Sequence, residues 1–402
     1  MENITNKMAQ PIRKAIQEHH PDAVKDYIYT LLIDGNNLLR QCFADDKKNS
    51  NGVHYGAVFQ FFLQVKLLLK KKTYDYVYVT FDDDDSGIFR YQVYNGYKAN
   101  RPKHYAEHSA EELSDYGKQF EATVNAMMKW AYARNSSKRK TISDSERFIQ
   151  ENFARERDIV LDMCEELCIR TIFNKTTEGD DIIAYYVQHR LPNEKIVIVS
   201  TDNDLTQLIN DDVCVYNRTM QAYLSPERFK KMKGMPVENV VVKKIFLGDA
   251  SDNIGNIYGF SEKKLLELVP DFNERPVTVE EVKDAAQKLI DERISNKKKP
   301  FVWCENIVNG KSNKEYDGDF YDINRKLIDL SKPYLSDDAV AELESLMHKP
   351  IDMTDRGFDN LYQIIKEEKI EEILDTSRFA SFFSEFKGLF DKELKRFSKK
   401  IV

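Results

Sequence analysis

From Tyr27 onward the chain alternates short apolar runs with longer stretches of helical periodicity. YIYTLLID, YDYVYVTFD, KIVIVSTD and VCVYN have the length and the β-branched and aromatic content of strands, and an apolar helix is predicted from Gly56 to Leu69. Strands that are apolar on both sides and separated by helices belong to a parallel sheet covered on both faces. Three of these runs end in aspartate. Ligands of open α/β sheets sit beyond the carboxyl ends of the strands, so Asp34, Asp82 and Asp202 are expected to converge on one crevice. Residues 91–157 carry a charged, mostly helical pattern rich in aromatic and basic side chains that interrupts the sheet. From Pro236 only helices are predicted, with an irregular connection around NKKKPFVWCENIVNGKSNKEYDGD. The expected division is a polar extension over 1–26, an α/β core over 27–235 and a helical region over 236–402.

Composition sharpens this picture in two places. The 402 residues are 42% hydrophobic, enough for a sizeable core, and no stretch has the character of a signal peptide or a membrane span, so a cytoplasmic protein is expected. Five scattered cysteines argue against a disulfide framework. Cys164 and Cys168, spaced i,i+4 in an apolar helical pattern, read as core rather than as a metal site. A net charge of −7 looks adverse to nucleic-acid binding, but the basic residues are bunched in runs at 70–72, 138–140, 230–233 and 297–299. Each such run is either a solvated face or a phosphate contact.

The acidic residues are the more informative half of the charge. Asp34 in LLIDGNN, Asp82 in VTFDDDD, Glu178, Asp180 and Asp181 in TEGDD, Asp202 and Asp204 in VSTDND, and Asp249 and Asp252 in LGDASDN all fall at strand or helix ends. Each motif has a plain reading: a turn at Asp34, a capping box between Thr177 and Asp180, a loop in DNIGNIYGF. Taken together they imply a cluster in which every pair of charges about 4 Å apart costs roughly 4 kcal/mol at an effective dielectric near 20. Such a cluster needs divalent cations or bound protons. An all-oxygen donor set favours hard cations such as Mg²⁺ or Mn²⁺ over Zn²⁺.

These motifs resemble the 5′ nuclease family: the 5′ nuclease domain of DNA polymerase I, the phage 5′ exonucleases (also called phage ribonuclease H) and the flap endonucleases. LLIDGNNLL is similar to the family's first strand, VTFDDDDSGIFR followed by YNGYKANRP to its metal-binding and strand-contacting segment, and TEGDDIIA to its E-A-D-D helix start. VIVSTDNDLTQL and LGDASDNI resemble its last two acidic motifs. The resemblance spans about Tyr27 to Val269. It implies a mostly parallel sheet flanked by helices, a helical arch over 91–157, and a helix-turn-helix-like duplex-binding module over 236–270. It also implies Asp34, Asp82, Glu178, Asp180 and Asp202 at a first Mg²⁺, and Asp204, Asp249, Asp252 and Asp181 at a second, with Mn²⁺ able to substitute. Lys98 and Arg101 would neutralise or steer the scissile strand, and Arg90 and Tyr97 would contact substrate; Asn36 and Asn37 either support the site or hold the turn. The implied activity is 5′-3′ exonuclease and flap endonuclease cleavage by two metals, with ribonuclease H action on primers in phage replication by a stand-alone enzyme. DNA or RNA/DNA hybrid is the implied substrate, and a single-stranded DNA-binding protein and a sliding clamp are implied partners.

Departures from the family pattern carry their own expectations. GNIYGFSEKK stands where the family has P-G-V-x-G-I-G-x-K, so duplex binding is expected to be altered, with Ser261 offered as a cap for the following helix. The span before TEGDD is long, and Tyr105, Tyr116, Trp130, Tyr132, Arg134 and the run at 138–140 either stack and pair with a threaded strand or pack on one another. A PIN-like ribonuclease and a catalytically silent binder of branched DNA are the competing readings.

Overall fold

The computed structural model describes residues 27–82, 86–100 and 144–401. Six strands form one sheet: β1 (Ile28–Asp34), β2 (Tyr76–Asp82), β3 (Arg170–Asn174), β4 (Glu194–Val199), β5 (Val213–Asn217) and β6 (Ala222–Leu224). Their order is β3-β2-β1-β4-β5-β6, parallel except for β6, which pairs antiparallel with β5. β2, β1 and β4 are adjacent, so the carboxyl ends that carry Asp34 and Asp82 share one edge with the segment after Val199.

Alternation along the strands divides the core in two. Leu31, Ile33, Val77, Val79 and Phe81 point to one face, where they meet helices α1 (Gly35–Cys42), α2 (Gly56–Lys71) and α4 (Asp144–Glu166). Leu32, Tyr76, Tyr78, Ile196 and Ile198 point to the other, where they meet α5 (Gly179–Gln188) and α7 (Asn239–Leu247). Burying both faces is why the strand sequences read as continuous apolar runs. The short helices α3 (Ile88–Val93) and α6 (Pro226–Lys233) complete the first part of the chain.

Beyond Pro236 the described elements are all helical. After α7 come α8 (Glu262–Leu268), α9 (Val279–Ser295), α10 (Val302–Val308), α11 (Phe320–Ile328), α12 (Asp337–Leu346), α13 (Phe358–Glu367), α14 (Thr376–Phe383) and α15 (Lys387–Ile401). The last three return to the first face: Leu361, Ile365, Phe383, Phe386 and Leu389 are buried with Phe61 and Phe62 of α2.

Several expectations need correction. β3 and β6 were not foreseen from the pattern, and the expected irregular connection contains α10. Thr177 and Asp180 form no capping box. Glu178 is the N-cap of α5 without a side-chain cap, and Thr177 faces Ser336 instead. A capping box exists elsewhere, between Thr278 and Glu281 of α9. Ser261 stands at the N-cap of α8, but its hydroxyl caps nothing. Cys164 and Cys168 are buried core thiols. The aromatic and basic residues expected in the arch, from Tyr105 to Lys140, lie outside the described residues.

Candidate active site

The carboxyl edge of the sheet gathers the acids in layers. Asp34 ends β1 and caps α1, accepting from the Asn37 N–H at 3.1 Å and from Ser200 Oγ at 2.8 Å. Ser200 in turn accepts from the Asp202 N–H at 2.9 Å, so one hydroxyl ties the ends of β1 and β4 together. Asp82 ends β2 and accepts the Gly179 N–H at 2.9 Å, fixing the start of α5 against it. Gly179 takes the place of the family alanine, with the Asp82 carboxylate 3.7 Å from where a Cβ would sit. The neighbouring asparagines hold this frame: Asn36 Nδ2 donates to the Asp82 carbonyl at 3.0 Å, and Asn37 Oδ1 accepts from the Thr201 N–H at 3.0 Å and from Gln41 at 2.6 Å.

Electrostatics shows how closely these groups face one another. Burial, with the charges of Asp202 and Asp82, pushes the Asp34 carboxyl up to about 7 against the hydrogen bonds from Asn37 and Ser200. Asp180 is raised by burial and then by Asp202, Asp34 and Asp204. Asp204, at the start of a 3₁₀ turn (Asp204–Leu208), is raised by burial and Asp202 to about 6 despite its ion pair with Lys244. Five acids from four segments therefore form one repelling group.

Protein cations answer part of this charge. Lys98 and Arg90 both pair with Glu178 and hold its carboxyl down at about 2 against the effect of burial. Lys244 of α7 pairs with Asp204 and, at 2.7 Å, with Asp249. Asp252 is buried, and its carbonyl accepts the Lys98 N–H at 2.8 Å, which fastens the loop bearing Lys98 to the Asp249–Asp252 turn. Lys98 adopts φ 52°, so the loop is bent to deliver its ammonium to the edge.

Three predicted site residues lie in buried contacts. Arg90 is 4% exposed, with its guanidinium fixed by Glu178, Asp181 and the Leu327 carbonyl, so that it holds Glu178. Asp181 is turned into that same buried ion pair and takes the Tyr334 N–H at 3.0 Å. Tyr97 is 3% exposed and donates to Glu178 at 3.2 Å. Arg101 lies outside the described residues. Conversely, Lys244, Ser200, Thr201 and Gln41 escaped the sequence reading. A lysine one and a half turns before the Asp249 motif was a usable signal for the first; the others become visible only once β1 and β4 are adjacent.

Among the described residues no three His, Cys, Asp or Glu side chains stand close enough to make a ready ligand cage. The donor set still fits hard divalent cations: it is all oxygen, and burial and neighbouring carboxylates raise Asp34, Asp180 and Asp204 despite the lysines among the described residues. The buried Asn36 Oδ1, beside Asp82, also has no hydrogen-bond partner among the described residues.

Comparison with known proteins gives the same direction. Residues 29–234 match the family model described as 5′-3′ exonuclease, N-terminal resolvase-like domain. The chain is 25% identical over 271 residues to DNA polymerase I of Bacillus subtilis (strain 168), covering 66% of this chain and 26% of the polymerase. It is 33% identical over 112 residues to a 5′-3′ exonuclease of Buchnera aphidicola subsp. Schizaphis graminum, covering 27% of this chain and 38% of that protein. Among solved structures, the bacteriophage T5 flap endonuclease in a pseudo-enzyme-product complex with DNA and metal ions matches with a TM-score of 0.53 at 17% identity, over 85% of this chain and 99% of that one. That likeness is one of fold.

Proposed function

We propose, because the chain belongs to the 5′-3′ exonuclease family, that it hydrolyses phosphodiesters at the 5′ end or 5′ flap of a strand next to a duplex. The observation that carries the reading is the convergence of Asp34, Asp180, Asp202 and Asp204 at the carboxyl edge of the sheet, with Lys98 beside them on Glu178. Asp34, Asp82, Glu178, Asp180 and Asp202 would hold one divalent cation and Asp204, Asp249 and Asp252 a second, Mg²⁺ in the cell with Mn²⁺ as a substitute. Bound there, such ions would supply a water of lowered pKa and positive charge to offset that of the reacting phosphate.

The chain's own residues then have separate tasks. Ser200, Asn36 and Asn37 keep the carboxylates aimed at the edge. Lys98 is released from Glu178 to neutralise the scissile phosphate, a charge-assisted role suited to a partly exposed ammonium whose backbone is anchored on Asp252. Lys244 screens Asp204 and Asp249 until ions and substrate arrive. Residues 236–270 would form a module holding the duplex. We assign the protein to removal of RNA primers and adjoining DNA during phage replication in the host cytoplasm, working beside a single-stranded DNA-binding protein and a sliding clamp.

The test offers a labelled 5′-flap duplex, a blunt duplex, an RNA/DNA hybrid and free single-stranded RNA with Mg²⁺, and repeats each with Asp202→Asn. Cleavage of the flap and the hybrid that is lost in the variant is expected. Cleavage restricted to free RNA would instead identify a PIN-like ribonuclease, and tight flap binding without cleavage a silent binder.

A further inference from the structure

The basic run at 230–233 closes α6 and lies against the loop that carries Asp202 and Asp204. Ser225 caps the start of the helix, accepting the Arg228 N–H at 3.4 Å, and Gly234 ends it with φ +73° and its N–H on the Lys230 carbonyl at 2.9 Å. Phe229 is buried on the inner face, so the last turn is fixed in place. Lysines in the last turn of a surface helix ordinarily do no more than answer its dipole. Lys230 fits that plain reading and donates to the Glu274 carbonyl at 2.8 Å. Lys233 does not, because its ammonium donates to Asn203 Oδ1 at 3.1 Å, thirty residues back on another element.

Asn203 stands between two of the acids. Its carbonyl accepts the Thr206 N–H at 3.1 Å and the Thr206 hydroxyl at 2.5 Å, and the Asp204 N–H donates to Asp202 Oδ1 at 2.8 Å, so the backbone of the turn is pinned. Thr206 is buried and Asn203 exposed, which aims the amide outward from a rigid turn. Lys233 is exposed as well, and among the described residues no carboxylate pairs with it. Lys98 and Lys244 differ: Glu178 neutralises the first, and Asp204 with Asp249 the second. An amide oxygen orients an ammonium without cancelling its charge, so Lys233 keeps that charge for an anion from outside. Strand order sets where it stands. Lys98 sits on Glu178 beside the Asp82 end of β2, Lys233 sits beside the end of β4, and β1 with Asp34 runs between them. At about 4.8 Å per strand spacing, those two strand ends are roughly 10 Å apart.

We propose that Lys233, bracketed by Asn203, is a substrate contact that takes a non-bridging oxygen of a phosphate neighbouring the reacting one, on the β4 side of the acids. This rests on the reading of the protein as a nuclease, and it adds to that reading a residue outside the acidic motifs and outside the module over 236–270. A strand brought to a carboxylate edge is repelled along its length, and an unmatched ammonium on the rim offsets that repulsion where the strand passes the Asp202–Asp204 loop. To take the phosphate Lys233 gives up only a neutral amide, whereas Lys98 must leave a carboxylate.

The experiment measures binding of a fluorescent 5′-flap duplex by the full-length protein in chelator, across a salt series, together with duplexes that each carry a single neutral methylphosphonate at one linkage around the flap junction. Lys233→Ala should weaken binding of the all-phosphate duplex about five- to tenfold and make the slope of log affinity against log salt shallower by about 0.9, the share of a single phosphate. In the unaltered protein one methylphosphonate position should bring the same loss, and that position should bring no further loss in Lys233→Ala. Lys233→Arg should restore affinity, slope and the response to that position. Lys231→Ala, which removes an equal charge from the same turn, should respond to that position as the unaltered protein does. With Mg²⁺, cleavage in a single turnover at saturating duplex should run at the unaltered rate in Lys233→Ala, since the contact is made equally in the ground and transition states. An unchanged affinity, or a methylphosphonate pattern identical in Lys233→Ala and the unaltered protein, overturns the proposal; a lowered saturated rate does so too, by making Lys233 part of the chemistry. An unaltered protein that cleaves none of these duplexes defeats the nuclease reading instead, while the binding series in chelator still decides on Lys233.

Discussion

The two ends of the same sheet treat buried charge in opposite ways. At the amino end, Glu194 opens β4 and receives bonds from Thr30, from Tyr186 at 2.8 Å, from the Leu191 N–H at 3.0 Å and from His348 at 2.9 Å. Burial works to raise its carboxyl, but these bonds outweigh it and hold the pKa below the usual range. Beside it Arg170, first residue of β3, meets Glu393 of α15 through two bonds of 3.0 Å while Arg396 pairs with the same carboxylate. At the carboxyl end, Asp34, Asp180 and Asp204 are raised by burial and by neighbouring carboxylates, Asp202 in every case. Charge that is matched inside the fold belongs to the architecture, whereas charge left in excess awaits a ligand.

Substitutions should separate the two ends. The largest effect is expected for Asp34→Ala: cleavage should fall by about a thousandfold or more, the scale of losing a principal electrostatic contact in a reaction of this kind. Its thermal midpoint in chelator should hold or rise, since a repelling charge is removed; a sharp drop would show that Asp34 serves the fold. At the amino end, Arg170→Met should cost about 3–5 kcal/mol in a denaturant titration by stranding Glu393, with activity per folded molecule retained. Equal stability in that variant would mean Arg396 alone satisfies the carboxylate. For Lys98→Ala the expected loss is about ten- to a hundredfold in rate, equivalent to about 1.4–2.8 kcal/mol, and an unaltered rate on flap substrates would remove Lys98 from the site.

The subtlest contrast is in pH. Asp34 and Asp204 have raised pKa values, so their contribution to stability is present below the usual carboxylate range and is lost as pH rises through about 6 to 7. Glu194 is lowered, so its contribution is present above that range and is lost as pH falls through its depressed pKa. Melting curves in chelator should therefore decline on both sides, Asp34→Asn flattening the neutral limb and Glu194→Gln the acid limb. Mg²⁺ should remove the neutral decline alone. If both limbs respond to Mg²⁺, the separation of the two ends is false.

Local order was largely legible in the residues. Four strands, their parallel sense and the meeting of Asp34, Asp82 and Asp202 on one edge follow from apolar runs ending in aspartate. β3 and β6 were hidden because RTIFN and AYL are too short to show a period, and β3 opens on Arg170, whose charge is answered by Glu393 more than two hundred residues away. The likeness of GIFRYQVYNGYKANRP to a strand-contacting segment gave Arg90, Tyr97 and Lys98 similar roles; folding buried the first two and left the third at the edge.

By itself, then, the chain determined four of the six strands, where the acids fall along them and which family pattern they follow. These are properties of nearest neighbours and of spacing. Tertiary structure decided which charges are answered: Arg90 with Asp181, and Lys244 with Asp204 and Asp249. The reason is that a charge takes its value from whatever lies within a few ångströms, and those neighbours come from distant parts of the chain.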